Sequence, residues 1–169
     1  ELYEHYEFTV HAYEDSTLIG DFMISGMGLS WDYRFKSGNN IAFVTSTTHD
    51  GNLGGLAGAD GICQARADAA GLNGTYVAWL STSTVDARDR LGTARGWMRP
   101  DGLPFTDAID DLVVGMIYYP LRLDEFGNQV SSTASIFTGT LADGTADDNA
   151  ICLDWTSTSG NATGGRGSG

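Results

Sequence analysis

The sequence is short of positive charge. Nine Lys and Arg stand against 22 Asp and Glu, giving a formal charge of −13 over 169 residues. Such a surface repels phosphate backbones, which excludes the usual electrostatic route to nucleic acid and disfavours anionic membranes. Long apolar runs are lacking too. No stretch approaches the ~20 apolar residues that a membrane-crossing helix needs. The longest candidate, Leu112–Leu121, is interrupted by Gly115 and Pro120. A polar, charged stretch follows Glu1 directly, so in a secreted protein Glu1 is expected to be the mature end.

Catalytic motifs are missing as well. The histidines are His5, His11 and His49, and none has an acidic, serine or cysteine partner at a recognisable spacing. There is no GxSxG, HExxH, CxxC or phosphate-binding loop. Carboxylate pairs are inevitable among 22 acidic residues and carry no glycosidase signal of their own. The expectation is a protein that is not an enzyme.

Cysteine is nearly absent. Cys63 and Cys152 are an even pair in an acidic, glycine-rich, secretion-like composition. That pattern favours one disulfide, with two buried free thiols as the alternative. A bridge between them would close about 90 residues, worth at most about 4–5 kcal/mol by chain entropy.

What is present centres on Ile41–Ser81 (IAFVTSTTHDGNLGGLAGADGICQARADAAGLNGTYVAWLS). Ile41–Thr45 reads as a short buried strand. His49–Gly55 is a glycine turn. Leu56, Ala59, Ile62, Cys63, Ala67 and Ala70 then recur at helical spacing, with Gly71 where a helix stops. The alanine-rich side of this helix suits close packing on a sheet. Tyr76–Leu80 is strand-like again.

Ahead of this stretch, Tyr6, Phe8, Val10 and Ala12 alternate with His5, Glu7, Thr9 and His11, a half-buried strand pattern. Leu18–Ser25 and Leu29–Phe35 are further strand candidates, and Lys36–Asn40 reads as a linker. Behind it, Thr82–Leu91 looks like a second short helix. Leu112–Leu123, Val130–Thr140 and Ile151–Trp155 read as strands, the last one buried. The tail from Thr156 reads as a loop or a disordered end.

Two blocks carry a family resemblance. FVTSTTHDGNLGGLAGADGICQARADAAG, from Phe43, resembles the opening of a bacterial secreted domain family of unknown function, found in spirochaete surface lipoproteins. IFTGTLADGT and NAICLDWTSTSGNATGG, within Ile136–Gly165, are similar to that family's tryptophan-threonine-serine block, and Arg99–Gly102 (RPDG) fits its middle. The resemblance covers roughly residues 40–169. It implies an α+β, C-type-lectin-like domain, with two helices on a small, mainly antiparallel sheet, in an extracellular or cell-surface setting. It implies no reaction. In that family further cysteines lie in a closing strand, to which the helix cysteine usually bonds. The resemblance therefore leaves two options for Cys63 and Cys152: they pair with each other, or their partners lie outside this sequence.

The expected organisation is a β extension over residues 1–39 and the lectin-like domain over 40–169. The extension has two readings. It pairs within its own chain, or Tyr6, Phe8, Val10 and Ala12 are an assembly strand donated to a neighbouring copy. Pairing only within its own chain would count against donation. A donated strand would cover the edge left by the family's closing strand, and a head-to-tail contact of that kind builds filaments. The function expected is a non-enzymatic structural subunit that self-assembles into a filament or pilus-like fibre. The alternative is a monomeric lectin-like adhesin that binds carbohydrate.

Ligand candidates follow. Asp143, Asp147, Asp148 and Asn149 offer oxygen ligands for calcium in one loop, with Gly144 for the turn. The competing reading is a solvated acidic loop. The sugar-binding triplets of calcium-dependent lectins are absent from the sequence. Trp79 and Trp155 fit a core, while Trp31 and Trp97 are candidate sugar platforms that also suit a core or interface. Asn73 and Asn161 match the N-glycosylation pattern.

Overall fold

A computed structural model describes residues 8–14, 17–24 and 40–158. The chain divides into two compact units, Glu1–Arg34 and Phe35–Gly169. Among the described residues, no helix is long and apolar enough to cross a membrane.

In the first unit, β1 (Phe8–Glu14) and β2 (Thr17–Ile24) form an antiparallel ribbon. Phe8 lies opposite Ile24 and Val10 opposite Phe22. The register shifts between Ala12 and Tyr13, where Ile19 is the extra residue of a bulge. The expected strand is therefore half of a hairpin with its partner in its own chain, not a lone strand. Tyr6, His5, Trp31 and the candidate strand over residues 29–35 lie outside the described residues.

The second unit is mixed α+β. Its sheet has three strands, β3 (Asn40–Ile41), β4 (Arg95–Met98) and β5 (Pro104–Ala108), in the order β3-β4-β5. The β3–β4 pair is parallel and the β4–β5 pair antiparallel. One long helix, α1 (Gly55–Ala69), accompanies them. The others are short: α2 (Ala87–Arg90), α3 (Ile109–Val113) and α4 (Cys152–Trp155).

Both ends of α1 follow from glycine. At its start, Gly58 brings its Cα so close to Leu53 that an added Cβ would sit 1.9 Å from the Leu53 carbonyl oxygen. At its end, Gly71 takes φ +71. There the Leu72 N–H donates to the Ala67 carbonyl at 3.0 Å, and the Gly71 N–H to Asp68 at 3.1 Å. That pair of bonds is the Schellman stop, which satisfies carbonyls the helix would leave bare.

The alanine face of α1 packs as expected. Ala59, Ala78, Leu80 and Trp155 form the buried cluster, with Leu53, Leu56, Cys63 and Cys152 against it. The small Ala59 side chain lets the indole approach the helix.

Several expected elements take another form. Tyr76–Leu80 runs past α1 without joining a ladder, because side chains supply its hydrogen bonds. Gln64 Oε1 accepts from the Tyr76 N–H at 2.9 Å, and Asp60 Oδ1 from the Ala78 N–H at 2.8 Å. The expected second helix shrinks to one turn. Thr82 Oγ1 accepts from the Val85 N–H at 3.1 Å, which holds a turn where a helix would begin. Neither Leu112–Leu123 nor Val130–Thr140 forms a strand: Leu112 and Val113 end α3, and Leu123 and Thr140 each make one isolated bridge. Ile151–Trp155 is no strand either. Cys152, Leu153, Asp154 and Trp155 all have positive φ, from 48 to 64, so α4 is a left-handed turn. It is anchored from both directions. The Trp155 indole donates to the Ser81 carbonyl at 2.7 Å, and the Leu53 N–H donates to the Trp155 carbonyl at 2.9 Å.

Candidate functional site

The expected calcium ligands do not converge. Asp143 Oδ1 accepts from the Thr145 N–H at 3.0 Å and its hydroxyl at 2.7 Å. Those bonds hold the Asp143 carboxyl below its usual range. Asp147 Oδ1 accepts from the Asn149 N–H at 3.1 Å, and Asp148 is exposed. Each bonded carboxylate folds back on its own turn rather than towards a shared centre. Among the described residues, no three His, Cys, Asp or Glu side chains form a metal-holding group.

The remaining candidates are dispersed. Cys63 and Cys152 are free thiols, so the expected bridge is not formed, although both pack on the same cluster. Burial pushes the Cys63 thiol up to about 11, helped by Asp60 and opposed by Arg90. Trp79 and Trp97 are half-buried, and the Trp97 indole donates to the Ala94 carbonyl at 3.1 Å. Trp155 is 3% exposed. His49 is exposed and bonds Thr47 at 2.8 Å. Asn73 is exposed in the loop after α1. Asn161 lies outside the described residues.

Sequence reasoning missed two ion pairs that brace α1. Glu125 is 2% exposed. It accepts from Ser46 N–H at 2.9 Å, Ser46 Oγ at 2.6 Å and Arg66 Nε at 2.6 Å. Arg66 also donates to Ser46 Oγ at 2.8 Å, and its guanidinium lies 5.5 Å from the Phe126 ring centroid. Arg90 donates to both oxygens of Asp60, at 2.8 and 2.7 Å, and to the Ala78 carbonyl. The Asp60–Arg90 pair thus satisfies both backbone groups of Ala78. These contacts are architecture: among the described residues, no buried side-chain polar atom lacks a partner. No short spacing announces pairs so far apart in sequence.

The feature left without an internal role is apolar. After α3 the chain runs exposed through Val114 (70%), Met116 (55%), Ile117 (45%), Tyr118 (58%) and Tyr119 (44%). Gly115 turns the chain there with φ +82. The segment is pinned along β5, one of the sheet's two edge strands. The Tyr118 N–H donates to the Phe105 carbonyl at 2.9 Å, and Thr106 Oγ1 to the Met116 carbonyl at 3.0 Å. Arg99 donates to the Pro120 carbonyl at 3.0 Å, and its guanidinium sits 5.9 Å from the Tyr119 ring centroid. No formal charge falls between Leu112 and Leu121 in a chain of net charge −13. A contiguous exposed apolar patch of this kind is an interaction surface more often than a reaction site. No protein-family model matches the chain, and no curated protein matches it either.

Proposed function

We propose that the protein is a non-enzymatic extracellular structural subunit. Its C-type-lectin-like domain carries an N-terminal β-ribbon, through which copies join head to tail into a filament or pilus-like fibre. The observation that supports this reading is the ribbon itself. Among the described residues, β1 and β2 pair only with each other, which counts against donation of β1 as a lone strand, and they belong to a sheet separate from β3-β4-β5. A two-stranded hairpin is marginal in water by itself. Among the described residues, each of its strands has one unpaired edge, and such an edge is a template for another strand. The donor is then a ribbon edge rather than a lone strand. A head-to-tail contact need not close on itself, and what does not close extends. The lectin-like fold and the extracellular setting rest on the two resembling sequence blocks and on the acidic, glycine-rich composition.

The test is negative-stain electron microscopy with size-exclusion chromatography on the full chain and on Val10→Asp. The wild type should form regular fibres. The variant, with a charge opposite Phe22, should elute as a folded monomer. A wild type that stays monomeric at every concentration refutes the reading.

A further inference from the structure

We infer that Asn73 is a site of self-modification. In the folded protein its side-chain amide is lost to attack by the Gly74 backbone nitrogen, which leaves aspartate and isoaspartate at that position. Two observations single it out.

The first is how the other described asparagines are held. Cyclisation needs a side-chain amide free to swing and a following backbone N–H free to attack. Asn40 Nδ2 donates to the Arg95 carbonyl at 2.6 Å, and Asn128 Nδ2 donates to Asp124 Oδ2 at 3.2 Å. After Asn52, the Leu53 N–H donates to the Trp155 carbonyl at 2.9 Å. After Asn149, the Ala150 N–H donates to the Asp147 carbonyl at 2.8 Å. Asn73 and Gly74 are held only by their carbonyl oxygens among the described residues. These accept from the Tyr76 hydroxyl at 3.4 Å and from Gln64 Nε2 at 3.2 Å. Both reacting nitrogens are left unbonded there.

The second is access. Asn73, Gly74 and Thr75 are all exposed, so water reaches the site. Gly74 has no side chain to obstruct its own nitrogen. Its φ of +122 is one that other residues rarely adopt, which keeps glycine at this position.

The chemistry needs only water. The Gly74 nitrogen bonds to Asn73 Cγ, the Cγ–Nδ2 bond breaks, and ammonia leaves with the proton from Gly74. Water then opens the cyclic imide. Opening at Cγ gives aspartate. Opening at the main-chain carbonyl gives isoaspartate, whose main chain runs through Cγ and is longer by a carbon. Either product adds a negative charge and erases the Asn73-Gly-Thr75 glycosylation acceptor. The longer main chain also spoils a clasp, because the Gln64 amide that donates to the Gly74 carbonyl accepts from the Tyr76 N–H at 2.9 Å.

Timed incubation of the full chain tests the idea, folded in neutral buffer and unfolded in urea. Peptide mass spectrometry with electron-transfer fragmentation tells asparagine, aspartate and isoaspartate apart. The folded chain should convert Asn73 to both products as fast as the unfolded chain does. Conversion should quicken in mildly alkaline buffer, since the attacking nitrogen must give up its proton. Asn40, Asn52, Asn128 and Asn149 should keep their amides in the folded chain, and Asn73→Gln should show no conversion at residue 73. An Asn73 that stays intact in the folded chain overturns the inference, whatever happens in urea. So does a folded chain in which the other four convert in step with Asn73, because the hydrogen bonds would then select nothing.

Discussion

Arg66 on α1 donates through Nε to Glu125 Oε1 at 2.6 Å, across 59 residues of sequence. This contact ties the long helix to the loop that follows Leu123, with Ser46 held between them. Removing one partner strands the other. We predict that Arg66→Ala destabilises the domain by about 3–5 kcal/mol, because the buried carboxylate loses its counter-charge. Arg66→Met with Glu125→Leu should lose less than Arg66→Ala alone, since no buried charge is left unpaired. Urea unfolding at neutral pH measures both.

The same carboxylate sets an acid limit. Burial pushes the Glu125 carboxyl up, but hydrogen bonds from Ser46 and Arg66 outweigh it and hold the group below its usual range. A depressed folded value means that its stabilisation is complete above the unfolded value of about 4.3. It is then lost as the pH falls through the folded value. The urea midpoint of the wild type should drop between pH 6 and pH 3. Glu125→Gln should start lower at pH 6 and fall less. Parallel curves for the two proteins would show that Glu125 is not the responsible group.

Two glycines in α1 should respond with opposite signs. An added Cβ at Gly61 meets nothing within 4 Å, so Gly61→Ala should gain about 0.5–1 kcal/mol from helix propensity. At Gly58 the same methyl would overlap the Leu53 carbonyl oxygen at 1.9 Å. Gly58→Ala should therefore destabilise, by at least about 2 kcal/mol, despite the better helix former. Thermal melts of the two variants decide it.

Cys63 should be slow to react. With its thiol raised to about 11, only about a thousandth is thiolate at pH 8. Iodoacetamide should modify Cys63 far more slowly in the folded protein than in urea. Peptide mass spectrometry after timed quenching reads the rate. Equal rates with and without urea would mean that the thiol is not shielded.

Local signals made α1 legible in the sequence. Its alanine face and Gly71 each act within a few residues, and the helix forms and stops where they say. The β1 strand was legible for the same reason: strict alternation leaves few alternatives. Tyr76–Leu80 was misread because its apolar pattern is right for a strand but its hydrogen bonds come from Gln64 and Asp60. Nothing local shows that helix side chains will do the work of a neighbouring strand. Leu112–Leu123, which contains Val114–Tyr119, was read as a strand because an apolar run normally implies burial. Here the run is exposed, and what covers it is not encoded nearby. The carboxylates of residues 143–149 looked like a ligand set until the geometry turned Asp143 and Asp147 onto their own loop.

The left-handed turn at Cys152–Trp155 bears on the order in which the domain can be made. Each residue there carries a penalty of roughly 1–2 kcal/mol against its right-handed form. That penalty is offset only when the Trp155 indole is seated on Ala59, Ala78 and Leu80 and bonded to Ser81. The turn therefore gains nothing by forming early. A polypeptide emerging from its N-terminus presents α1 and the Ala78–Leu80 stretch long before the ring that joins them. Until residue 155 arrives, these pieces share the Gln64 and Asp60 hydrogen bonds but lack the indole that completes their core. The core cluster is therefore completed late, once the tryptophan has followed.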